Sequence, residues 1–269
     1  MQESLQLLLT WKSAAAAAVF ALFFLGERLY PAAPEPAETG PPAGPAAGWG
    51  RWRRVLRNLA FWMLNLGLSL AIVLPLTEWS ARVAPAWRPA WWSGWEGLAL
   101  DLLLLDFLIY WWHRANHRVP LLWRFHAVHH LDRFLDSTSA LRFHFGEVAI
   151  SALARALVIL AVGFPLFSVL LFETLLLAAT IFHHSNLRLP AGFERALSWI
   201  VVTPSIHWLH HHRVRRDTDS NYATVLSLWD RLFGSRNRGR RRPDMPIGVE
   251  GEEEETAVRL LLRPFRKAG

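Results

Sequence analysis

Apolar residues are gathered into five long segments, which polar or tryptophan-rich stretches separate. A helix needs roughly 20 apolar residues to cross a bilayer, and each segment is close to that length, although some are a little short. The pattern therefore predicts an all-α fold, an integral membrane helical bundle of four to five membrane segments. Their approximate bounds are Lys12–Tyr30, Leu59–Leu76, Leu98–Trp112, Val148–Phe164 and Leu166–Phe182.

These segments divide the chain into four parts. Residues 1–30 form an N-terminal membrane helix that we expect to be retained, because Glu27–Pro31 is a poor signal-peptide cleavage site. Residues 31–50 are a Pro/Ala/Gly linker that cannot build a core, and we expect it to be mobile. Residues 51–234 form the catalytic domain with the remaining membrane helices, and residues 235–269 form a basic and then acidic tail.

Composition and charge narrow the class further. Of the 269 residues 52% are apolar and none is Cys, so disulfides, thiolate metal sites and iron–sulfur clusters are excluded. The net charge of +7 comes from arginines that flank apolar segments, which indicates anionic headgroups and not nucleic acid as the partner. Arginines at 51–57, 114–142 and 213–242 predict that these stretches share the cytoplasmic side of a multi-pass membrane protein.

Eight of the 12 histidines fall into three tight clusters, one H-x-x-x-H and two H-x-x-H-H. Residues three and four apart on a helix share one face, so each cluster directs several imidazoles toward one place. Neutral imidazole is the commonest protein ligand of metals, and one ion takes roughly three to six ligands, so eight predict two ions. The predicted ligands are His113, His117, His126, His129, His130, His207, His210 and His211.

The third apolar segment carries an acidic residue before its histidine pair. Asp106, Tyr110, His113 and His117 are spaced four, three and four apart and form one stripe down a helix. An acidic group at membrane depth is costly and is by default a functional candidate. We expect Asp106 to accept a hydrogen bond from a ligand imidazole, through Tyr110 or directly. A helix-end Asp paired with Arg is the alternative.

The order and spacing of these motifs resemble the fatty acid hydroxylase/sterol desaturase superfamily, the integral-membrane histidine-box di-iron oxygenases. The resemblance covers roughly Asp106–Gly234. His212 and Trp208 depart from it, because the family often has a small polar and a basic residue there. The matching runs are DFLIYWWHRANH (106–117), RFHAVHH (124–130), LRFHFGE (141–147), HSN (184–186), TPSIHWLHH (203–211), DSNY (219–222) and WDRLFG (229–234).

The resemblance implies O₂-dependent hydroxylation, desaturation or ether cleavage of a lipid such as a fatty acyl chain or a sterol. It implies two Fe ions on the cytosolic side, which Zn can replace in purified protein, and O₂ as co-substrate. The sequence shows no fused cytochrome or ferredoxin domain, so we expect a separate electron-transfer protein as partner.

Further site candidates follow from the same motifs. His144 and His184 are the best additional metal ligands, since one lies in the R-x-H-x-x-E run and the other ends the fifth apolar segment. Glu147 would orient a ligand imidazole or cap the next helix. With Asp106, Tyr110 and Glu147, Asn221 completes the candidate catalytic set. The roles of His183 and His212 stay open.

Two other classes of protein are alternatives to a lipid oxygenase. A zinc hydrolase takes about three ligands plus water, and the chain has no His-Glu-x-x-His run. The other class is a non-enzymatic haem or metal-transport protein. Bis-His haem proteins usually place single histidines deep in opposing membrane helices, whereas these clusters lie at the membrane edge.

Two expectations concern the membrane region. Arg155 and Glu173 each lie nine residues from Phe164, so a hairpin folded there would place them at one depth as an ion pair. A lipid chain should reach the metals between the membrane helices, along residues such as Phe107, Leu108 and Leu177.

Charge and the position of Gly234 predict the arrangement of the last part of the chain. Trp229 and Phe233 are expected in the core, with Gly234 ending their helix. Arg236–Arg242 is expected to contact headgroups, and Glu252–Glu255 to be a solvated acidic stretch.

Overall fold

The computed structural model describes residues 2–35, 50–239 and 241–266, with side chains from Ala14 onward except at Arg51. Within these ranges the chain is helical, with three isolated β-bridges and no strand, which confirms the all-α prediction. The helices are α1 (Gln2–Leu29), α2 (Gly50–Leu68), α3 (Leu74–Val83), α4 (Gly94–Arg118), α5 (Pro120–His130), α6 (Phe145–Val162), α7 (Leu166–His184), α8 (Ala191–Leu197), α9 (Pro204–His210), α10 (Arg215–Thr218), α11 (Leu228–Leu232) and α12 (Ala257–Leu262).

Three helices of the described chain are long and apolar enough to cross a membrane: Trp52–Val83, Phe145–Val162 and Leu166–His184. The first of these is α2 and α3 joined by a single π-helical turn, Ser69–Val73. The third predicted segment forms α4, which does not meet the same criterion because Asp101 and Asp106 interrupt its apolar run. The first predicted segment forms α1, whose first 12 residues have no described side chains.

The membrane-capable helices pack into a bundle around α4 and α7. α3 and α2 contact α6, α1 contacts α7, and α4 contacts both α5 and α7. The α6–α7 hairpin turns at Gly163, whose φ of 75° favours glycine, and Pro165 precedes the first residue of α7. Arg155 donates to Glu173 across this hairpin, which confirms the predicted pair.

An ionic contact at the buried Asp101 fixes the N-terminal part of α4. The Asp101 carboxylate accepts hydrogen bonds from Arg88, from Trp92 Nε1 at 2.9 Å and from Ser168 Oγ at 2.7 Å. The tryptophan-rich loop before α4 and the first turn of α7 are thereby joined to one carboxylate. The sequence reading did not identify Asp101, although it lies in the same apolar run as Asp106.

The prediction that residues 31–50 are a mobile linker is wrong for the first residues of this range. Ala33 is buried, and its backbone N–H and carbonyl both pair with the side chain of Asn186, at 3.0 and 2.8 Å. Pro31 forms a β-bridge with Leu187. These contacts order residues 31–35 against the end of α7, and linker residues 36–49 lie outside the described residues.

The C-terminal segment also departs from its prediction, because it folds back onto the histidine-rich end of the bundle. Glu254 is only 6% exposed and pairs with arginines, so the acidic stretch is not simply solvated. Arg241, within the stretch expected to contact headgroups, places its guanidinium 3.7 Å from the centroid of the Trp208 ring and donates to Asn186. Arg241 therefore brings a cation to Trp208, one of the two positions at which the chain departs from the family that it resembles.

We predict that the Arg155–Glu173 pair stabilises the α6–α7 hairpin. A lone charge at the bilayer centre costs about 2.5–3.5 kcal/mol on insertion scales, and pairing offsets part of that cost. Arg155→Glu and Glu173→Arg should therefore each lower the thermal unfolding midpoint in detergent or nanodiscs, and the double exchange should restore most of it. Single variants with unchanged midpoints would show that the two side chains do not depend on each other.

Candidate metal centre

Nine buried histidines of the described chain converge where α4 and α7 end, in two groups. Within each group one nitrogen from every ring lies within 4.8 Å of the others. All eight clustered histidines and His184 belong to these groups. Group one consists of His113, His117, His126, His130 and His210, and group two consists of His129, His184, His207 and His211.

Each H-x-x-H-H run contributes to both groups: the first gives two histidines to group one and one to group two, and the second gives one to group one and two to group two. On α5, His126 and His130 are four residues apart and enter group one, while His129 enters group two. At α9 the assignment is reversed, since His207 and His211 enter group two and His210 enters group one. The α4 pair completes group one, and His184 at the end of α7 completes group two.

Hydrogen bonds to the outer ring nitrogen orient five of these imidazoles. A neutral ring whose Nδ1 faces an oxygen acceptor carries its proton there, so its Nε2 presents a lone pair. The pairs are His113 with Tyr222 O (2.7 Å), His126 with Glu147 Oε1 (2.8 Å), His129 with Arg142 O (3.1 Å), His184 with Thr180 O (2.8 Å) and His210 with Ser220 O (2.6 Å).

The arrangement of lone pairs fits a cation. His129 Nε2 lies 3.0 Å from His184 Nε2, and both rings carry their proton on the far nitrogen. His207 Nε2 lies 3.0 Å from His184 Nε2 and 3.1 Å from His211 Nε2. Lone pairs this close repel one another unless a positive ion lies among them. The donor set, imidazole nitrogen with oriented outer hydrogen bonds, suits iron and zinc alike.

Burial keeps the imidazoles in the neutral form that binds metals. Burial, reinforced by neighbouring imidazoles, lowers the pKa of His130, His207 and His211 well below the usual value of 6.5. The pKa of His210 is lowered in the same direction by burial and by His113. A protonated ring has no lone pair for a metal, so these shifts keep the ligands available at neutral pH.

Glu147 lies where the sequence reading expected an orienting carboxylate. It is in the first turn of α6 and accepts from His126 Nδ1, so it serves both the ligand and the helix terminus. Gly146 allows this approach, because a Cβ there would lie 2.5 Å from Phe125 Cε1. The structure therefore brings α6 directly against the ligand helix α5.

His144 was expected to be a ligand, and the structure places it outside both groups. Its Nδ1 accepts from Gly146 N at 2.9 Å, and its Nε2 faces Leu261 O at 3.0 Å. With one nitrogen capping α6 and the other facing the C-terminal segment, the ring has no nitrogen directed at the metal groups.

Asp106 and Tyr110 do not contact a ligand imidazole. Asp106 accepts from Trp229 Nε1 at 2.8 Å and from Leu226 N at 3.1 Å, so it fastens the loop 222–234 to α4. The Tyr110 hydroxyl hydrogen-bonds Ser235 at 2.8 Å and accepts from Arg114. The expectation of a direct link between Asp106 and a ligand is wrong, because the Asp106 carboxylate accepts its hydrogen bonds from the loop that packs against α4.

Asn221 has a structural position in the turn before Tyr222. Its φ is 53°, its amide donates to Ile206 O at 3.1 Å, and its side-chain oxygen accepts from Asn237 N at 2.8 Å. The turn presents the Tyr222 carbonyl to His113. Asn221 therefore shapes a ligand acceptor and does not itself reach the histidines.

His183 and His212, whose roles the sequence left undecided, lie in different surroundings. His183 is buried beside group two, with its ring centroid 4.0 Å from that of His207. His212 lies outside both groups and places Nδ1 2.7 Å from Asp217. His183 is therefore a neighbour of the ligands, and His212 is part of the turn after α9.

Sequence reasoning missed the backbone acceptors. Four of the five oriented rings face carbonyls, those of Arg142, Thr180, Ser220 and Tyr222, whose side-chain types carry no information about this role. Only the i–4 relation of Thr180 to His184, within one helix, is visible in the sequence. The remaining three depend on loops that return to the site.

Acid should destabilise the metal-free chain. The folded-state pKa values of four histidines outside the membrane segments are lowered, so unfolding takes up protons and stability falls once pH drops below about 6.5; they are His130, His207, His210 and His211. Each such histidine contributes up to about 1.4 kcal/mol per pH unit there. The unfolding midpoint in detergent with chelator should thus fall between pH 7.5 and 5.5, and a constant midpoint would contradict the buried neutral cluster.

Comparison with known proteins agrees with this geometry. The family model for fatty acid hydroxylases matches residues 98–235, which include both histidine groups. The chain is 28% identical over 183 residues to the ornithine lipid hydroxylase of Rhizobium tropici, covering 68% of this chain and 54% of that protein.

It is 35% identical over 144 residues to the alkylglycerol monooxygenase of Xenopus tropicalis, covering 54% of this chain and 30% of that one. It is 32% identical over 142 residues to a cholesterol 25-hydroxylase-like protein of Danio rerio, covering 51% and 54%. The chain thus spans about half of the first and third relatives and under a third of the second, and no solved structure matches it. The match across both histidine groups shows that this chain belongs to the fatty acid hydroxylase family.

Proposed function

We propose that the protein is a membrane-bound lipid hydroxylase in which each histidine group holds one iron ion and which uses O₂ and external electrons. The observation that carries the proposal is the pair of adjacent, buried, all-histidine groups with converging Nε2 atoms. The relatives named for ornithine lipid, alkylglycerol and cholesterol hydroxylation or monooxygenation support a lipid substrate. Desaturation of the same kind of chain is the second outcome that this family resemblance allows.

The chain's own residues supply binding, orientation and exclusion of water. Bound iron would supply the activation of O₂ that no side chain can provide. Two carboxylates lie beside ligand rings: Glu147 Oε1 is 2.8 Å from His126 Nδ1, and Asp219 Oδ1 is 3.5 Å from His117 Nδ1. The other oriented rings face uncharged backbone carbonyls.

The geometry favours this function over the two alternatives. A zinc hydrolase needs about three protein ligands and an open position, whereas these groups offer five and four imidazoles side by side. A haem between two axial histidines needs space for the macrocycle. The Nε2 atoms of group two lie 3.0 and 3.1 Å apart and leave none.

We infer that the metal centre faces the cytoplasm and receives electrons from a separate protein. Arginines 114–142 and 213–242 flank the histidine groups, and the positive-inside tendency assigns that side to the cytoplasm. The α6–α7 turn at Gly163 then lies at the opposite face.

The test compares the lipids and the metals of matched variants. Cells that express the chain in air should accumulate hydroxylated lipids absent from cells without it, and the purified protein should hold two iron ions. His129→Ala should remove the activity and the metal of group two, whereas His212→Gln, outside both groups, should retain both. Full activity and metal in His129→Ala, or products formed without O₂, would refute the proposal.

Substrate access from the bilayer gives a second prediction. Leu177 is half-buried on α7, one heptad before His184, so its side chain lies on the path that a lipid chain would follow to group two. Leu177→Trp should shift the preferred chain length or the position of hydroxylation severalfold while leaving the metal content unchanged. Product analysis across a series of acyl lengths measures the shift, and an unchanged profile would place the path elsewhere.

A further inference from the structure

Glu254 lies in the C-terminal segment, beyond the residues 98–235 that match the family model. Its buried carboxylate accepts from three arginines: Arg57, Arg133 through Nε at 2.9 Å, and Arg142 through Nη1 at 2.7 Å. Arg142 has no exposed side-chain surface and Arg57 very little, while Arg133 is half exposed. The carboxylate is thus placed to neutralise buried cations.

Arg142 in turn holds the ligand His129. Its backbone carbonyl faces His129 Nδ1 at 3.1 Å, and its Nε donates to Val128 O, one residue before that histidine, at 2.8 Å. The next residue, Phe143, stacks on the His129 ring with centroids 4.5 Å apart and planes 8° apart. His129 is therefore fixed at its outer nitrogen, its ring face and its backbone by one dipeptide.

Glu254 is the carboxylate nearest to both Arg142 and Arg57. Asp132, Asp136 and Glu35 all lie within 4.0 Å of Arg54, whereas Asp132 is 3.7 Å from Arg142 and 4.0 Å from Arg57. Among the described residues, Arg142 and Arg57 therefore have only Glu254 and the more distant Asp132 as negative partners. Breaking a buried ion pair by removing one partner leaves an uncompensated charge, which the structure relieves by moving the remaining partner.

We propose that Glu254 is a positioning residue for group two. It acts through Arg142, because the ion pair holds the carbonyl that sets the tautomer and direction of His129. The proposal rests on the metal centre put forward above, and it assigns to the C-terminal segment a part in metal retention. Group one has no ligand that faces Arg142, so the effect should be confined to one of two ions.

The C-terminal segment has other anchors, so a change at Glu254 should not detach it. Leu260 is fully buried and Val249 nearly so, in a cluster with Phe61, Val128 and Leu131. Gly248 N donates to His211 O, and Arg263 pairs with Glu252. Glu254→Gln keeps the shape of the side chain and removes only its charge.

The experiment uses the full chain, purified in detergent or nanodiscs and loaded with Zn²⁺ or Co²⁺. The variants are Glu254→Gln, Glu254→Asp and the control Glu253→Gln. Glu253 is the residue next to Glu254, and its side chain is 77% exposed. Metal per chain and the rate of metal loss to a chelator are measured, with the visible absorption of the Co²⁺ form as a record of ligand geometry.

Wild type and Glu253→Gln should hold two ions. Glu254→Gln should lose one of the two roughly tenfold faster, with a changed Co²⁺ spectrum for that ion, as is typical when a group behind a ligand is altered. Glu254→Asp should recover part of the retention. If Glu254→Gln releases both ions at the wild-type rate, or both equally faster, the positioning role is refuted. A wild-type chain that binds no metal would refute the metal centre itself, and the role of Glu254 with it.

Discussion

Imidazoles packed this closely can hold a metal only when the rings are neutral and turn their lone pairs inward. Burial favours the first condition at rings such as His130 and His211, since it penalises the charged form, and neighbouring imidazoles add to the effect. The second condition needs an acceptor behind each ring. The structure meets it for five rings with one carboxylate and four backbone carbonyls. The loops around the centre therefore have to bring carbonyl groups to fixed positions, and this requirement explains much of the remaining architecture.

Buried carboxylates hold those loops in place. Asp106 on α4 fastens Leu226 and Trp229, and Asp230 accepts from the backbone N–H groups of Tyr222 and Ala223. The Tyr222 carbonyl reaches His113 from this fixed turn. On the other side of the centre, arginine–carboxylate pairs around Asp132 hold the loop that presents the Arg142 carbonyl. Charged residues in an apolar sequence thus stabilise connections, and their distance from the histidines does not measure their importance to the site.

The sequence predicted the parts of this site that follow from helical periodicity. Spacings of three and four residues put the clustered histidines on common helix faces, and these histidines converge. His184, predicted from its place at the end of the fifth apolar segment, joins them. The Arg155–Glu173 pair followed from symmetric spacing about a turn. The wrong predictions concern residues whose surroundings depend on contacts with distant parts of the chain. His144 resembles a ligand by motif, yet the C-terminal segment occupies its outer nitrogen, and Asp106 meets a loop 120 residues away. The linker near Ala33 was predicted to be mobile and Glu254 to be solvated, because their buried partners lie far along the chain.

The exchanged pattern of the two H-x-x-H-H runs couples the two groups through the backbone. His129 and His130 are consecutive residues that belong to different groups, and so are His210 and His211. A rotation of α5 that improved one group would move a ligand of the other, and the same holds for α9. The distance between the groups is therefore set by two peptide units, with the rings of His130 and His211 stacked at 4.1 Å between them. A pair of sites built in this way keeps its spacing only while both helices keep their packing, which is why the C-terminal segment and the buried ion pairs around α5 belong to the centre as much as the ligands do.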